Sequence, residues 1–347
     1  GLIEGIAESL ASLLKVFSGY WSDRLGKRKP LTIAGYAFSG LGKIALVFAN
    51  SWPGVLLGRI ADRFGKGVRT APRDALLAES VDGATLGRSF GLHRALDTLG
   101  ASMGVVLSYY FLTVYRGDYR AVFLYAFIPA TLGVATLFLV RETKPPLMTS
   151  KEKPLALNWG VLDKRLKAFL ILDFVFTIGN SSNQLLLLRA KSFGFTDATV
   201  ILLYLVYNLT YSLLSYPAGR LSDKIGRRRL IILGDLSYAL AYLGFAVATK
   251  PSSLWLLFGF YGLWSAFTEG VEKALIAEIA PPEQRASLIG LHATLIGMAL
   301  LPASLIGGLL WNAFGPAAPF YFGATLAALA TVGLFFTLRT INPASQA

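Results

Sequence analysis

The sequence predicts an all-α polytopic membrane protein made of two pseudo-symmetric helical bundles, with eleven membrane-crossing helices in its 347 residues. Three observations predict it. The chain is 54% hydrophobic and only 15% charged, with a mean hydropathy of +0.55, whereas soluble domains carry about 25% charged residues. Apolar runs of about 20 residues recur from end to end, each long enough to cross ~30 Å of hydrocarbon. A short basic tag also occurs twice, as G-Y-W-S-D-R-L-G-K-R-K at 19–29 and G-R-L-S-D-K-I-G-R-R-R at 219–229.

The apolar runs must be helices, because a backbone in lipid has to satisfy its own hydrogen bonds. No run shows the period-2 alternation of an outer-membrane barrel. In order, the first bundle takes spans 1–21, 31–50, 53–78, 89–114 and 120–140. The first tag separates the first two spans, and Asn50-Ser-Trp-Pro53 separates the next two. The stretch from Arg141 to Lys167 holds Pro145, Pro146, Pro154 and many lysines, and reads as a linker. The second bundle takes spans 167–189, 197–219, 230–249, 253–279, 286–312 and 318–338. Its joints are the second tag, Lys250-Pro-Ser-Ser253, Pro281-Pro-Glu-Gln-Arg285 and Phe314-Gly-Pro316. The expected organisation is therefore 1–140 as one bundle, 141–166 as linker and 167–347 as the other bundle.

A net charge of +13 would suit nucleic acid, but the basic residues sit in short loops or inside one helix. There is no solvated basic stripe with interleaved aromatics, so nucleic acid is excluded as a partner. The positive-inside rule instead places both tags, the linker and the C-terminus in the cytoplasm, in a bacterial-type inner membrane. With no cysteine, disulfides, thiolate metal sites and cysteine nucleophiles are excluded. No signal peptide is seen. There is no G-x4-G-K-[ST], metal-ligand spacing or nucleophile elbow, so neither an ATPase nor another enzyme is expected, and no cofactor or metal.

The repeat extends beyond the tag. Gly91-Leu-His93 matches Gly290-Leu-His292, and Ala75-Leu-Leu-Ala-Glu79 matches Ala274-Leu-Ile-Ala-Glu278, both 199 residues on. Asp23 and Gly26 match Asp223 and Gly226 at 200. Parallel repeats of this kind are a transporter feature. Span 167–189 has no partner in the first half, so a first helix is expected to precede Gly1.

Gly19-x-x-x-Asp23-Arg24-x-Gly26-Lys27-Arg28-Lys29 resembles the loop 2–3 signature of the major facilitator superfamily. Gly219, Asp223, Gly226 and Arg228 resemble its loop 8–9 counterpart. The resemblance covers the whole chain. It implies a secondary transporter of a small solute working by alternating access, with its site between the halves. Glycines in the tag allow close helix approach. An aspartate at a helix end can face the positive N-terminus of a neighbouring helix in one conformation only. The resemblance makes Asp23, with Arg24 and Arg28, a gate element of the outward-facing state; the alternative is that the tags only set topology.

The span 53–78 carries Arg59, Asp62, Arg63, Lys66, Arg69, Arg73 and Asp74 on one helical face. A basic residue at mid-bilayer costs at least ~2.5 kcal/mol. The face must therefore line a wet cavity or pair with acids, unless Lys66 onward lies in water at the cytoplasmic end. It could bind an anionic solute or tune proton-carrying acids. Arg63-Phe-Gly-Lys-Gly67 resembles the family's fourth-helix motif, whose arginine is tied to proton coupling, although Arg69 replaces its second glycine.

On the next helix His93, Arg94 and Asp97 lie one turn apart, and histidine can relay protons. Gly91, Gly100 and Gly104 keep the spacing of the family's antiporter motif, but Val105 replaces its proline. The remaining intramembrane charges are Glu4, Glu8, Lys15 and Lys43 in the first half and Asp173, Glu269 and Glu272 in the second. A basic first half and a more acidic second half suggest ion pairs that break and reform during transport. Asp97, Glu8 and Glu269 are the candidate proton carriers. The expected partners are a small solute, with an organic anion and a drug or metabolite for efflux as competing classes, a proton and the bilayer. The chain is expected to be monomeric. The alternative class is a transporter-like sensor or scaffold that binds a ligand without moving it.

Overall fold

The structure, a computed structural model, describes residues 2–116, 118–142 and 162–337, with side chains from Ala11 onward. Among these residues every regular element is helical. The first helices are α1 (Leu2–Leu25), α2 (Lys29–Phe48), α3 (Trp52–Glu79), α4 (Leu86–Val114) and α5 (Tyr119–Leu139). Then come α6 (Lys164–Gly179), α7 (Asn183–Ser192), α8 (Asp197–Ile225), α9 (Arg227–Val247), α10 (Ser253–Ile279), α11 (Arg285–Phe314) and α12 (Ala318–Thr337). One 3-10 turn, Gly83–Thr85, precedes α4, and another, Pro282–Gln284, precedes α11.

Span 167–189, expected as one helix, is two. The polar run Asn180-Ser-Ser-Asn-Gln184 causes the break. The Ser182 hydroxyl accepts from the Gln184 N–H at 3.3 Å and starts α7. The broken backbone finds a new partner at Gly179, whose carbonyl accepts from Tyr238 at 3.2 Å. Among the polar side chains of the break, Asn183 Oδ1 accepts from Tyr261 at 2.7 Å.

Among the described residues seven helices are long and apolar enough to cross a membrane by length and composition: α2, α4, α5, α8, α9, α11 and α12. The other expected spans fall outside that group. Both α6 and α7 are too short, and α1, α3 and α10 also fall short of that measure of length and composition.

The described residues form two compact units. One gathers those of Gly1–Asp82, Met103–Leu155 and Ile279–Gly297; the other gathers those of Gly83–Ser102, Ala156–Glu278 and Met298–Ala347. In the first unit α2 packs between α3 and α5, and α3 also packs on α1. Backbones touch where glycines face each other. A Cβ on Gly65 would lie 2.3 Å from the Gly35 carbonyl oxygen, so only glycine fits that crossing. In the second unit α12 packs along α9 and α6 around an aromatic core of Phe176, Tyr238, Tyr242, Phe245, Phe258 and Phe320. The Tyr238 and Tyr242 rings stack at 4.0 Å.

Candidate functional site

The first tag folds back on itself. Gly26 has φ 58, a left-handed value that suits glycine, and so ends α1 in a tight turn. The turn brings Arg28 under Asp23, and both are buried. Asp23 Oδ1 accepts from Arg28 Nη1 at 2.5 Å and from the Ala286 N–H at 3.3 Å. Asp23 Oδ2 accepts from the Ser287 N–H at 2.6 Å and the Ser287 hydroxyl at 2.5 Å. A carboxylate thus caps the first turn of α11, where the helix dipole favours negative charge.

Arg28 joins three elements. Its Nη2 donates to Glu79 at the end of α3 at 2.8 Å, and its Nη1 donates to Ser22 at 3.1 Å. Nη2 also reaches the Pro282 carbonyl at 3.4 Å. Burial alone would lower the Arg28 pKa. The hydrogen bond to Glu79 and the charge of Asp23 outweigh it and hold the guanidinium above its ordinary value. Its main chain is fixed too, because the Arg28 and Lys29 N–H groups both donate to Glu142 Oε1. Lys29 Nζ donates in return to the Phe138 and Val140 carbonyls at the end of α5.

The second tag repeats the arrangement. Gly226 has φ 95. Asp223 Oδ1 and Oδ2 accept from the Gly87 and Arg88 N–H groups, each at 2.8 Å, and cap the start of α4. Arg227 lies 3.4 Å from Asp223 and 2.8 Å from Glu278, and it donates to the Gly83 carbonyl at 2.8 Å. Gly19 and Gly219 are where the backbones meet. A Cβ on Gly19 would fall 2.3 Å from the Ala286 oxygen, and one on Gly219 2.1 Å from the Gly87 oxygen.

Several sequence expectations change here. Arg24, grouped with Arg28, is exposed and takes no part in the Asp23 cluster. Arg228, expected as the second tag's arginine, instead donates to the Phe335 carbonyl and lies over the Phe335 ring at 5.5 Å. Arg227 takes the inner place because the loop is two residues shorter than in the first tag: one residue, Gly226, against 26–28. Glu79, Glu278, Ser287 and Glu142 had no assigned role. The repeated A-L-x-A-E ending was the signal for the two glutamates.

The charged face of α3 is half-buried. Asp62 lies 3.5 Å from Lys43 of α2. Arg69 donates to Ser39 and stacks over Tyr36 at 4.3 Å. Arg73 pairs with the buried Asp74 at 2.8 Å. Arg59, Arg63 and Lys66 are half-buried, and none is without an interaction. The side chains of Glu4 and Glu8 lie outside the described residues.

In the second unit Arg94 bridges two carboxylates, Asp97 at 3.0 Å and Glu269. It lies beside α8, whose Ser212 donates to the Ala95 carbonyl at 2.8 Å. His93 is half-buried on α4, and His292 is buried on α11. Glu272 is half-buried on α10. Gly91 packs against Ser215, where a Cβ would meet the carbonyl oxygen at 2.4 Å, but Gly100 and Gly104 face open space. The antiporter-type glycine spacing is thus used for close packing at its first position only.

The family model described as Major Facilitator Superfamily matches residues 1–188 and 168–347. An uncharacterized MFS-type transporter of Methanocaldococcus jannaschii is 37% identical over 344 residues, covering 97% of this chain and 85% of the relative. A probable 4-methylmuconolactone transporter of Cupriavidus pinatubonensis is 26% identical, covering 84% of this chain and 69% of the relative. Among solved structures, the human organic anion transporter MFSD10 (TETRAN) superposes with a TM-score of 0.84 at 17% identity, covering 96% and 83% of the two chains. That identity carries the fold and nothing finer. The all-helical architecture, the doubled tag and the two capped helix starts agree with these matches, and the chain belongs to the Major Facilitator Superfamily, a family of membrane transporters rather than enzymes.

Proposed function

We propose that this chain is a proton-coupled secondary transporter of a small organic solute, working by alternating access with its tag loops in the cytoplasm. One observation carries the reading. Asp23 and Asp223 each cap a helix that belongs, by sequence, to the opposite half of the repeat. Caps of this kind hold in one arrangement of the helices and are lost in another, which is what a two-state carrier needs. The basic residues of both tags support the cytoplasmic placement.

The solute reading rests on Arg94. A guanidinium held between Asp97 and Glu269, each at least partly exposed, can exchange one carboxylate for a carboxylate or phosphate of the solute. Protonating Glu269 would release Arg94 for the anion, which links proton and solute in one step. The relative described as a probable 4-methylmuconolactone transporter supports an organic solute.

The test is a thermal-shift screen of the full chain with anionic, cationic and neutral solutes, followed by flux of the hits in proteoliposomes under an imposed pH gradient. Stabilisation by anions and flux that follows the gradient are expected. Stabilisation by cations alone would overturn the anion reading, and flux indifferent to the gradient would overturn proton coupling. Binding without flux would favour a sensor.

A further inference from the structure

Five tyrosines are buried among the described residues, all of them in the second unit. Four of their hydroxyls are bonded. Tyr207 pairs with Ser265 at 3.2 Å, Tyr238 donates to the Gly179 carbonyl, Tyr242 lies 3.4 Å from Ser181 and Tyr261 donates to Asn183. The fifth, Tyr211 of α8, is 5% exposed and its hydroxyl makes no hydrogen bond. Buried polar groups are normally satisfied, so this one calls for a reason.

Its surroundings supply one. Ser212, the next residue, donates to the Ala95 carbonyl at 2.8 Å, which sets Tyr211 against the turn of α4 that carries Arg94. Thr98, one turn after Arg94, lies beside the Tyr211 hydroxyl but outside bonding geometry. Arg94 itself crosses from α4 to Glu269 of α10. Three glycine crossings fix these helices around it. A Cβ on Gly91 would lie 2.4 Å from the Ser215 oxygen, one on Gly262 2.6 Å from the Tyr207 oxygen, and one on Gly270 3.3 Å from the Gly91 nitrogen. Water reaches the place, because the side chains of Arg94, Glu269 and Asp97 are 22%, 31% and 53% exposed.

Charge sets the class of anion. Arg94 pairs with Asp97 and Glu269, and the half-buried Glu272 is near enough to feel it. A solute with one negative charge replaces that of Glu269. A second charge would add to those of Asp97 and Glu272, which Lys273 offsets in part. A guanidinium with a neutral hydroxyl donor beside it suits the two oxygens of a carboxylate. We infer that the solute is a monocarboxylate, with one oxygen held by Arg94 and the other accepting from the Tyr211 hydroxyl. This rests on the Arg94 reading above and narrows its carboxylate or phosphate to the first.

The test is calorimetric binding to the full chain in nanodiscs at neutral pH. The probes are acetate, hexanoate and benzoate, against methyl, hexyl and phenyl phosphate. At least one carboxylate should bind, and the phosphates should not. Tyr211→Phe should weaken the bound carboxylate about 10-fold or more, as loss of a hydrogen bond to a charged group does. Without ligand the same variant should melt no lower than wild type, because the hydroxyl bonds nothing there. A lower melting temperature would mark a structural bond to Thr98 and overturn the inference. Carboxylate binding lost in Arg94→Gln but unmoved in Tyr211→Phe would overturn it too, and leave the Arg94 reading standing. Phosphates bound as tightly as carboxylates would overturn the monocarboxylate class. Binding indifferent to Arg94→Gln, or none by any of the six probes, would overturn the Arg94 reading itself.

Discussion

Asp23 takes two hydrogen bonds from Ser287, one from the main chain at 2.6 Å and one from the hydroxyl at 2.5 Å. The aspartate ends α1 and the serine opens α11, so one carboxylate joins two distant parts of the chain.

Replacing Asp23 by Asn keeps the shape but removes the charge that faces the α11 start and Arg28. Hydrogen bonds to charged groups are worth ~1.5–3 kcal/mol. Losing about 2 kcal/mol from one state shifts a two-state balance ~30-fold. Asp23→Asn should insert and fold normally yet lose most transport. Solvent accessibility of a cysteine placed at Ser287 should rise in the variant. Unchanged accessibility and transport would assign the tag to topology alone.

Arg28 is fully buried between two acids. Arg28→Ala leaves Asp23 and Glu79 without their cation and should cost about 3–5 kcal/mol. Arg28→Lys keeps the charge but loses the fork that reaches both acids and Pro282 together. Its thermal stability should fall between those of wild type and Arg28→Ala. A lysine variant as stable as wild type would contradict this geometry.

Neighbouring arginines of the second tag should behave differently. Arg227 is nearly buried between Asp223 and Glu278, while Arg228 is partly exposed and reaches a carbonyl and a ring on α12. Arg227→Ala should impair transport and stability clearly, and Arg228→Ala by less than about 1 kcal/mol. Melting curves of the two variants side by side decide it. Equal losses would show that both arginines bear on the cluster.

Glycines sort in the same way. Gly19→Ala and Gly219→Ala put a methyl group inside contact distance of a carbonyl oxygen. Both should disrupt the capped helix starts and lower transport. Gly100→Ala and Gly104→Ala meet open space and remove a flexible residue from α4. They should be neutral or stabilising by ~0.5–1 kcal/mol. Loss of transport in the latter pair, without loss of stability, would show that α4 must bend there.

Most of the fold was legible in the sequence because hydropathy alone marks helices in lipid. The break in α6–α7 was visible only as polar residues 180–184, since their rescue by Tyr238 and Tyr261 depends on packing. The tags were legible as motifs, but not their partners. Glu79 and Ser287 lie 56 and 264 positions from Asp23, and no local pattern links them. Counting along the repeat pointed to Arg228, but where α9 begins decides that Arg227 faces inward.

The separation of Asp23 from Ser287 also orders the making of the protein. When the second tag leaves the ribosome, its partners Gly87 and Arg88 have already been synthesised. Asp23 must wait for 264 further residues, roughly 10–50 s at ordinary elongation rates. During that interval its carboxylate and the Arg28 fork have only Ser22, Glu79 and each other. The first tag is therefore the last clasp to fasten, and a nascent chain stalled before Ser287 is the one most exposed to membrane quality control.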